Sequence, residues 1–161
     1  MDWREFNREA FEKRYKVFAF ITKTEGTNFF SEKAWTVFDN CFAPIIEKSE
    51  ETSPIYSMQM SSEKKGWLPL GRMTYQKTNL IKCIDKYKNH NNWRVFNTQI
   101  WSGNRKQIMD ENRFPEFVFT VEYTSSKFPG NPVDNVLCCS FELEFYDTYK
   151  SLIDSSIEKF K

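Results

Sequence analysis

The sequence predicts an α+β fold of two layers, a mainly antiparallel, curved sheet with helices packed on it. Three observations carry that expectation. Trp35, Phe38, Phe42 and Ile45 recur at i, i+3, i+7 and i+10, the spacing of one helix face. Three strand-like stretches, Trp93 to Ser102, Phe117 to Thr124 and Val136 to Tyr146, then follow one another with no helix between them, which favours an antiparallel meander. Finally, 161 residues with no internal repeat and no divisive linker fit one domain over residues 1–161.

The elements read as follows. Asp2 is placed to cap a first helix over residues 2–13, with Glu5 as its reciprocal capping-box partner and Trp3, Phe6 and Ala10 on one face. From Tyr15 to Lys23 both alternating sets are apolar, as in a strand covered on two sides; a continued helix is the rival reading. Thr24 to Asn28 is a loop by composition. Ser31 is a fair N-cap for the Trp35–Ile45 helix, and Pro44 predicts a kink or an end there, because it has no N–H to bond back to Asn40. Ile55 to Met60 alternates as a short strand. Ser61 to Gly71, punctuated by Gly66, Pro69 and Gly71, reads as a loop with Trp67 and Leu68 as apolar anchors.

Thr74 to His90 reads as a helix with Leu80, Ile81, Ile84 and Tyr87 on one face and lysines around the rest. The last strand puts Cys139, Phe141, Leu143 and Phe145 inward and Ser140, Glu142 and Glu144 outward, so one face of the sheet is expected to be wet. A final helix begins near Asp147.

Composition narrows the function. The chain has 23 basic and 22 acidic residues, so no global charge steers it toward nucleic acid or an anionic membrane. The charge is nevertheless segregated: residues 62–107 carry 10 bases and 2 acids, and residues 108–147 carry 2 bases and 8 acids. Only 5 glycines and 1 histidine argue against phosphate-cradling loops and against most His-dependent catalysis. No secretory signal or membrane-spanning run is expected, and four cysteines without C-x-x-C spacing read as reduced thiols of a cytoplasmic protein.

Several chemistries compete with simpler roles for these residues. Cys41, Cys83 and His90 lack the paired spacing of a zinc site. Glu142 and Glu144 share a strand face as a glycosidase pair would, but carboxylates on a wet strand face are the commoner case. The bases from Lys64 to Lys106 interleave with Trp67, Tyr75, Tyr87 and Trp93, the ingredients of a nucleic-acid surface, yet core packing of one helix face accounts for the rings. Five Trp and seven Tyr fit a protein interface, whose anchors they commonly are, and they also fit a glycine-poor core. No catalytic residue, metal ligand or cofactor is expected.

The stretch Phe96-Asn97-Thr98-Gln99-Ile100-Trp101-Ser102-Gly103 ends a strand in aliphatic-Trp-polar-Gly. This resembles one group of immunity proteins from bacterial polymorphic-toxin systems. The order of Lys16 to Lys23, Ser31 to Lys48, Ile55 to Met60 and Thr74 to His90 is also similar to that group, over about residues 15 to 103. Ser102 stands where Asn is more usual, and the first helix and residues 136–161 have no clear counterpart.

The resemblance implies a non-catalytic cytoplasmic antidote that binds a cognate protein toxin encoded by an adjacent gene. Another protein-binding adaptor or secretion chaperone, and a nucleic-acid-binding module using residues 62–107, are the alternatives. The expected contact residues are Trp67, Trp101, Asp110, Glu111 and Glu116. Strand alternation alone allows Trp101 to face either the core or the solvent.

Overall fold

The computed structural model describes residues 14–22, 32–49, 52–60, 66–72, 75–87, 93–103, 114–124 and 135–161. The expected helix over residues 2–13 and the loop from Thr24 to Asn28 lie outside them. The elements in chain order are β1 (Tyr15–Thr22), α1 (Glu32–Ile46), β2 (Thr52–Met60), β3 (Gly66–Arg72), α2 (Lys77–Tyr87), β4 (Trp93–Ser102), β5 (Phe117–Thr124), β6 (Asn135–Glu142), α3 (Leu143–Thr148) and α4 (Lys150–Phe160). The strands form one six-stranded sheet in the order β1-β6-β5-β4-β2-β3. Every neighbouring pair is antiparallel. The fold is α+β, and the meander β4-β5-β6 forms its centre.

Helices cover one face of this sheet. The apolar stripe of α1 (Trp35, Phe38, Phe42 and Ile45) is fully buried and lies in one cluster with Phe117, Phe119 and Val121 of β5 and Leu137, Cys139 and Phe141 of β6. Phe119 is the hub. Its ring centroid lies 5.4 Å from Phe38, 5.1 Å from Phe42, 5.4 Å from Phe117 and 5.7 Å from Phe141. These are the edge-to-face and tilted arrangements that the ring quadrupole favours. Ile153 and Ile157 of α4 complete the layer, and Phe160 bridges Phe20 of β1 and Phe42 of α1 at 5.0 and 5.3 Å.

Pro44 does not end α1 at once, since the helix runs on two residues to Ile46. The carbonyl of Asn40, which residue 44 would normally satisfy, instead accepts a hydrogen bond from Lys159 Nζ of α4 at 3.0 Å. The proline's missing donor is thus replaced from a second helix.

Two expectations are corrected. The segment expected as a loop from Ser61 to Gly71 contains strand β3, paired with β2. Its proline and glycines do not prevent pairing because β3 is an outermost strand, where a missing N–H has a side on which no ladder bond is needed. The stretch from Val136 to Tyr146 is a strand only as far as Glu142. There the Glu142 carboxylate turns back on the chain, and its Oε2 accepts the N–H of Glu144 at 2.9 Å and of Phe145 at 3.1 Å. That side-chain cap starts α3 and takes Leu143 and Glu144 out of the strand alternation. Leu143, expected inward, is exposed.

Candidate functional site

The Ile100–Gly103 stretch ends β4, and each of its residues has a structural task. Ile100 lies on the helix side in the core. Trp101 points to the other face, in a row that runs Val17, Ser140, Val118, Trp101 across β1, β6, β5 and β4. That face is not uniformly wet. Trp101 is 1% exposed, Val118 6%, Ser140 3% and Tyr15 4%. Trp101 is therefore corrected from an exposed contact residue to a buried one. Ser140, expected on a wet face, is buried with it.

Ser102 fastens the far end of the connection that leaves β4. Its Oγ accepts the backbone N–H of Glu116 at 2.6 Å and of Phe117 at 3.3 Å. Gly103 then turns the chain away with φ 88°, a value that costs any residue with a Cβ. The Tyr15 hydroxyl donates to the carbonyl of Pro115 at 2.6 Å. Burial, with the Glu142 carboxylate adding to it, raises the Tyr15 pKa above the ordinary phenol value, so the group remains a donor. The Glu116 carbonyl accepts the N–H of Glu142 at 2.8 Å. Residues 114–116 are thus held by β1, β4 and β6 together.

This anchoring sets one wall of an open cleft of about 440 Å³ at the end of the sheet, lined by Arg14, Phe114, Glu116, Glu142, Glu144, Phe145, Thr148 and Tyr149. Glu116 and Glu144 are exposed. Glu142 is half-buried and committed to capping α3. The Arg14 guanidinium sits 3.9 Å from the Phe114 ring centroid, a cation–π seat inside the cleft. Tyr149 packs against Phe145 with ring centroids 4.8 Å apart and planes tilted by 52°, and Lys48 Nζ lies 5.7 Å from the Tyr149 ring. Among the described lining residues, three carboxylates stand against one guanidinium, an acidic balance.

The expected contact residues are not brought together as a set. Glu116 is on the cleft. Trp67 lies on β3, at the opposite edge of the sheet from β1. Asp110 and Glu111 fall outside the described residues, within the connection that leaves Gly103 and returns at Phe114. Arg14, Phe114 and Tyr149 also line the cleft and carry no pattern in the sequence that marks them. The turn from β6 into α3, which brings Tyr149 and Glu144 to the cleft, is a break that strand alternation conceals.

Among the described residues there is no group of three or more side chains able to hold a metal ion. Cys83 and His90, two of the three residues considered as zinc ligands by spacing, have side chains outside the described residues. The thiols of Cys41, Cys138 and Cys139 are free, and burial raises the pKa of each. They are protonated thiols with little nucleophilic character.

Ser102→Ala is expected to destabilise the protein by about 1–3 kcal/mol, because it leaves two backbone donors at the base of the 114–116 segment without their acceptor. Urea unfolding of the variant and the parent measures this; an unchanged midpoint would contradict the clamp.

These features describe a two-layer α+β protein with an anchored, acid-lined cleft at one end of its sheet. Comparison with known proteins gives no match: no family model, no curated protein and no solved structure is similar to this chain. No helix among the described residues is long and apolar enough to cross a membrane.

Proposed function

We propose that this chain is a non-catalytic immunity protein, which binds a cognate bacterial toxin domain in the cytoplasm of the producing cell and neutralises it. The observation that carries the reading is the anchoring of Glu116. β6, α3 and the residues flanking β1, β5 and α4 line an open acidic cleft, and the backbone on which Glu116 stands is fixed by Ser102, Tyr15 and Glu142 before any partner arrives. A surface ordered in advance loses less conformational entropy on binding than a loop that must order first. Carboxylates at its rim attract a basic partner and orient the encounter. The resemblance of Ile100–Gly103 to the immunity group supports the same reading, with Trp101 and Ser102 acting through the fold and the acids making the contact.

The test is charge reversal. Asp110→Lys, Glu111→Lys and Glu116→Lys together are expected to weaken the complex with the toxin by at least about tenfold, or roughly 1.4 kcal/mol. Glu116 is exposed, so the melting temperature is expected to hold. Titration calorimetry and a thermal scan on the same preparations separate the two effects. Unaltered affinity would remove this surface from the proposal.

A further inference from the structure

We propose that Glu142 is the positioning residue of the cleft: it fastens both walls, so that the 114–116 segment and α3 loosen or tighten as one unit. The bonds divide between its main chain and its side chain. The Glu142 N–H donates to the Glu116 carbonyl at 2.8 Å and holds the first wall. The Glu142 Oε2 accepts the N–H of Glu144 at 2.9 Å and of Phe145 at 3.1 Å and holds the second. Glu116 stands on the first wall, and Glu144, Phe145, Thr148 and Tyr149 stand on or beside the second.

The place of Glu142 in the chain explains why one residue serves both walls. At this end of the sheet the β5–β6 ladder closes on Phe117 opposite Phe141, and the β1–β6 ladder closes on Tyr15 opposite Glu142. Glu142 is the last residue of β6, with extended backbone at φ −57° and ψ 139°, and Leu143 already belongs to α3. Its main chain is therefore part of the sheet and its carboxylate part of the helix. α3 has only six residues, too few to persist on helix propensity alone. Besides the cap it is held by the buried Phe145, whose ring centroid lies 5.8 Å from that of Phe117. The bond to Glu116 lies at the end of a ladder, where local opening costs least.

Two fastenings that share one residue are coupled. Opening the cap releases the backbone of Glu142 from its fixed dihedral angles, and the bond to Glu116 weakens with it. Coupling of this kind is reciprocal, so a change that loosens the 114–116 segment also loosens α3. The Tyr15 hydroxyl, bonded to the Pro115 carbonyl at 2.6 Å, gives access to the segment from its far side. One consequence rests on the reading of the cleft as a toxin contact: a partner that grips Glu116 also steadies Glu144, and Glu142 contributes position to the cleft where Glu116 and Glu144 contribute charge.

Amide hydrogen exchange of the free protein, followed residue by residue and corrected for intrinsic rates, tests the coupling. In Glu142→Ala the amides of Glu144 and Phe145 are expected to exchange about fivefold faster, the ratio to which loss of one N-cap corresponds. The amide of residue 142, which belongs to the other wall, is expected to accelerate with them. Glu142→Gln keeps an acceptor oxygen and is expected to restore most of the protection at both walls. Tyr15→Phe reads the coupling in reverse and decides the matter should Glu142→Ala not fold: losing the bond to Pro115 is expected to speed exchange at Phe145. Faster exchange confined to α3 in Glu142→Ala would overturn the proposal, as would α3 amides that Tyr15→Phe leaves unchanged. In titrations with a toxin domain encoded by an adjacent gene, Glu142→Gln is expected to bind as the parent does and Glu142→Ala more weakly. Equal losses in the two variants would make Glu142 a contact acid and overturn its positioning role. A parent that does not bind at all would remove the reading of the cleft, and the exchange rates would still decide the coupling.

Discussion

Phe119→Ala is expected to cost about 3–5 kcal/mol, the range for truncating a fully buried phenylalanine. Phe119 is 0% exposed and touches four other rings contributed by α1, β5 and β6. Truncation removes the transfer free energy of one ring and opens a cavity at the point where helix layer and sheet meet. The surrounding rings are rigid and already in contact with other neighbours, so they collapse into the space only in part. For a chain of this length each kcal/mol corresponds to roughly 2–4 °C, giving a drop on the order of 6–20 °C in melting temperature. Phe119→Leu restores much of the volume and is expected to lose less. A thermal scan in which the alanine variant melts with the parent would show that this cluster is not the stabilising core.

Trp101→Ala is the second large effect, and it separates structure from contact. Trp101 is almost fully buried and lies on the face of the sheet away from the helices, beside Val118. The expected loss is again about 3–5 kcal/mol. Its signature is a lower melting temperature with the affinity of the folded fraction for the toxin unchanged. A partner anchor gives the reverse, a held melting temperature and lost affinity, and that result would return Trp101 to the contact surface.

The sequence was most legible where local pattern and tertiary environment agree. The Trp35–Ile45 stripe forms a helix because its apolar spacing meets a sheet that buries all of it. β4 and β5 have the expected bounds because neither contains Gly or Pro, and β5 alternates cleanly. β3 was hidden because Pro69 and two glycines are read as turn residues, and only its outermost place in the sheet makes them harmless. The end of β6 was hidden for another reason. Glu142 to Tyr146 still alternates, but a carboxylate capping two N–H groups locally outweighs continued pairing. The cleft depends on both that break and the long-range clamp of Ser102 on Glu116, so of its exposed acids the sequence marks Glu116 as a contact residue and Glu144 only as an outward strand carboxylate. Trp101 shows the limit of alternation: it places the ring on a face without saying whether that face is covered.

The proposed docking of this chain's folded surface on another polypeptide is tested most directly by titrating the purified protein with a protein toxin domain encoded by an adjacent gene, the partner the proposal requires, together with growth of cells that carry both. A stoichiometric complex and rescue of growth are the expected result. A chain that leaves the toxin unbound, or that itself turns over a small molecule through a residue whose single substitution abolishes the activity, would contradict the account.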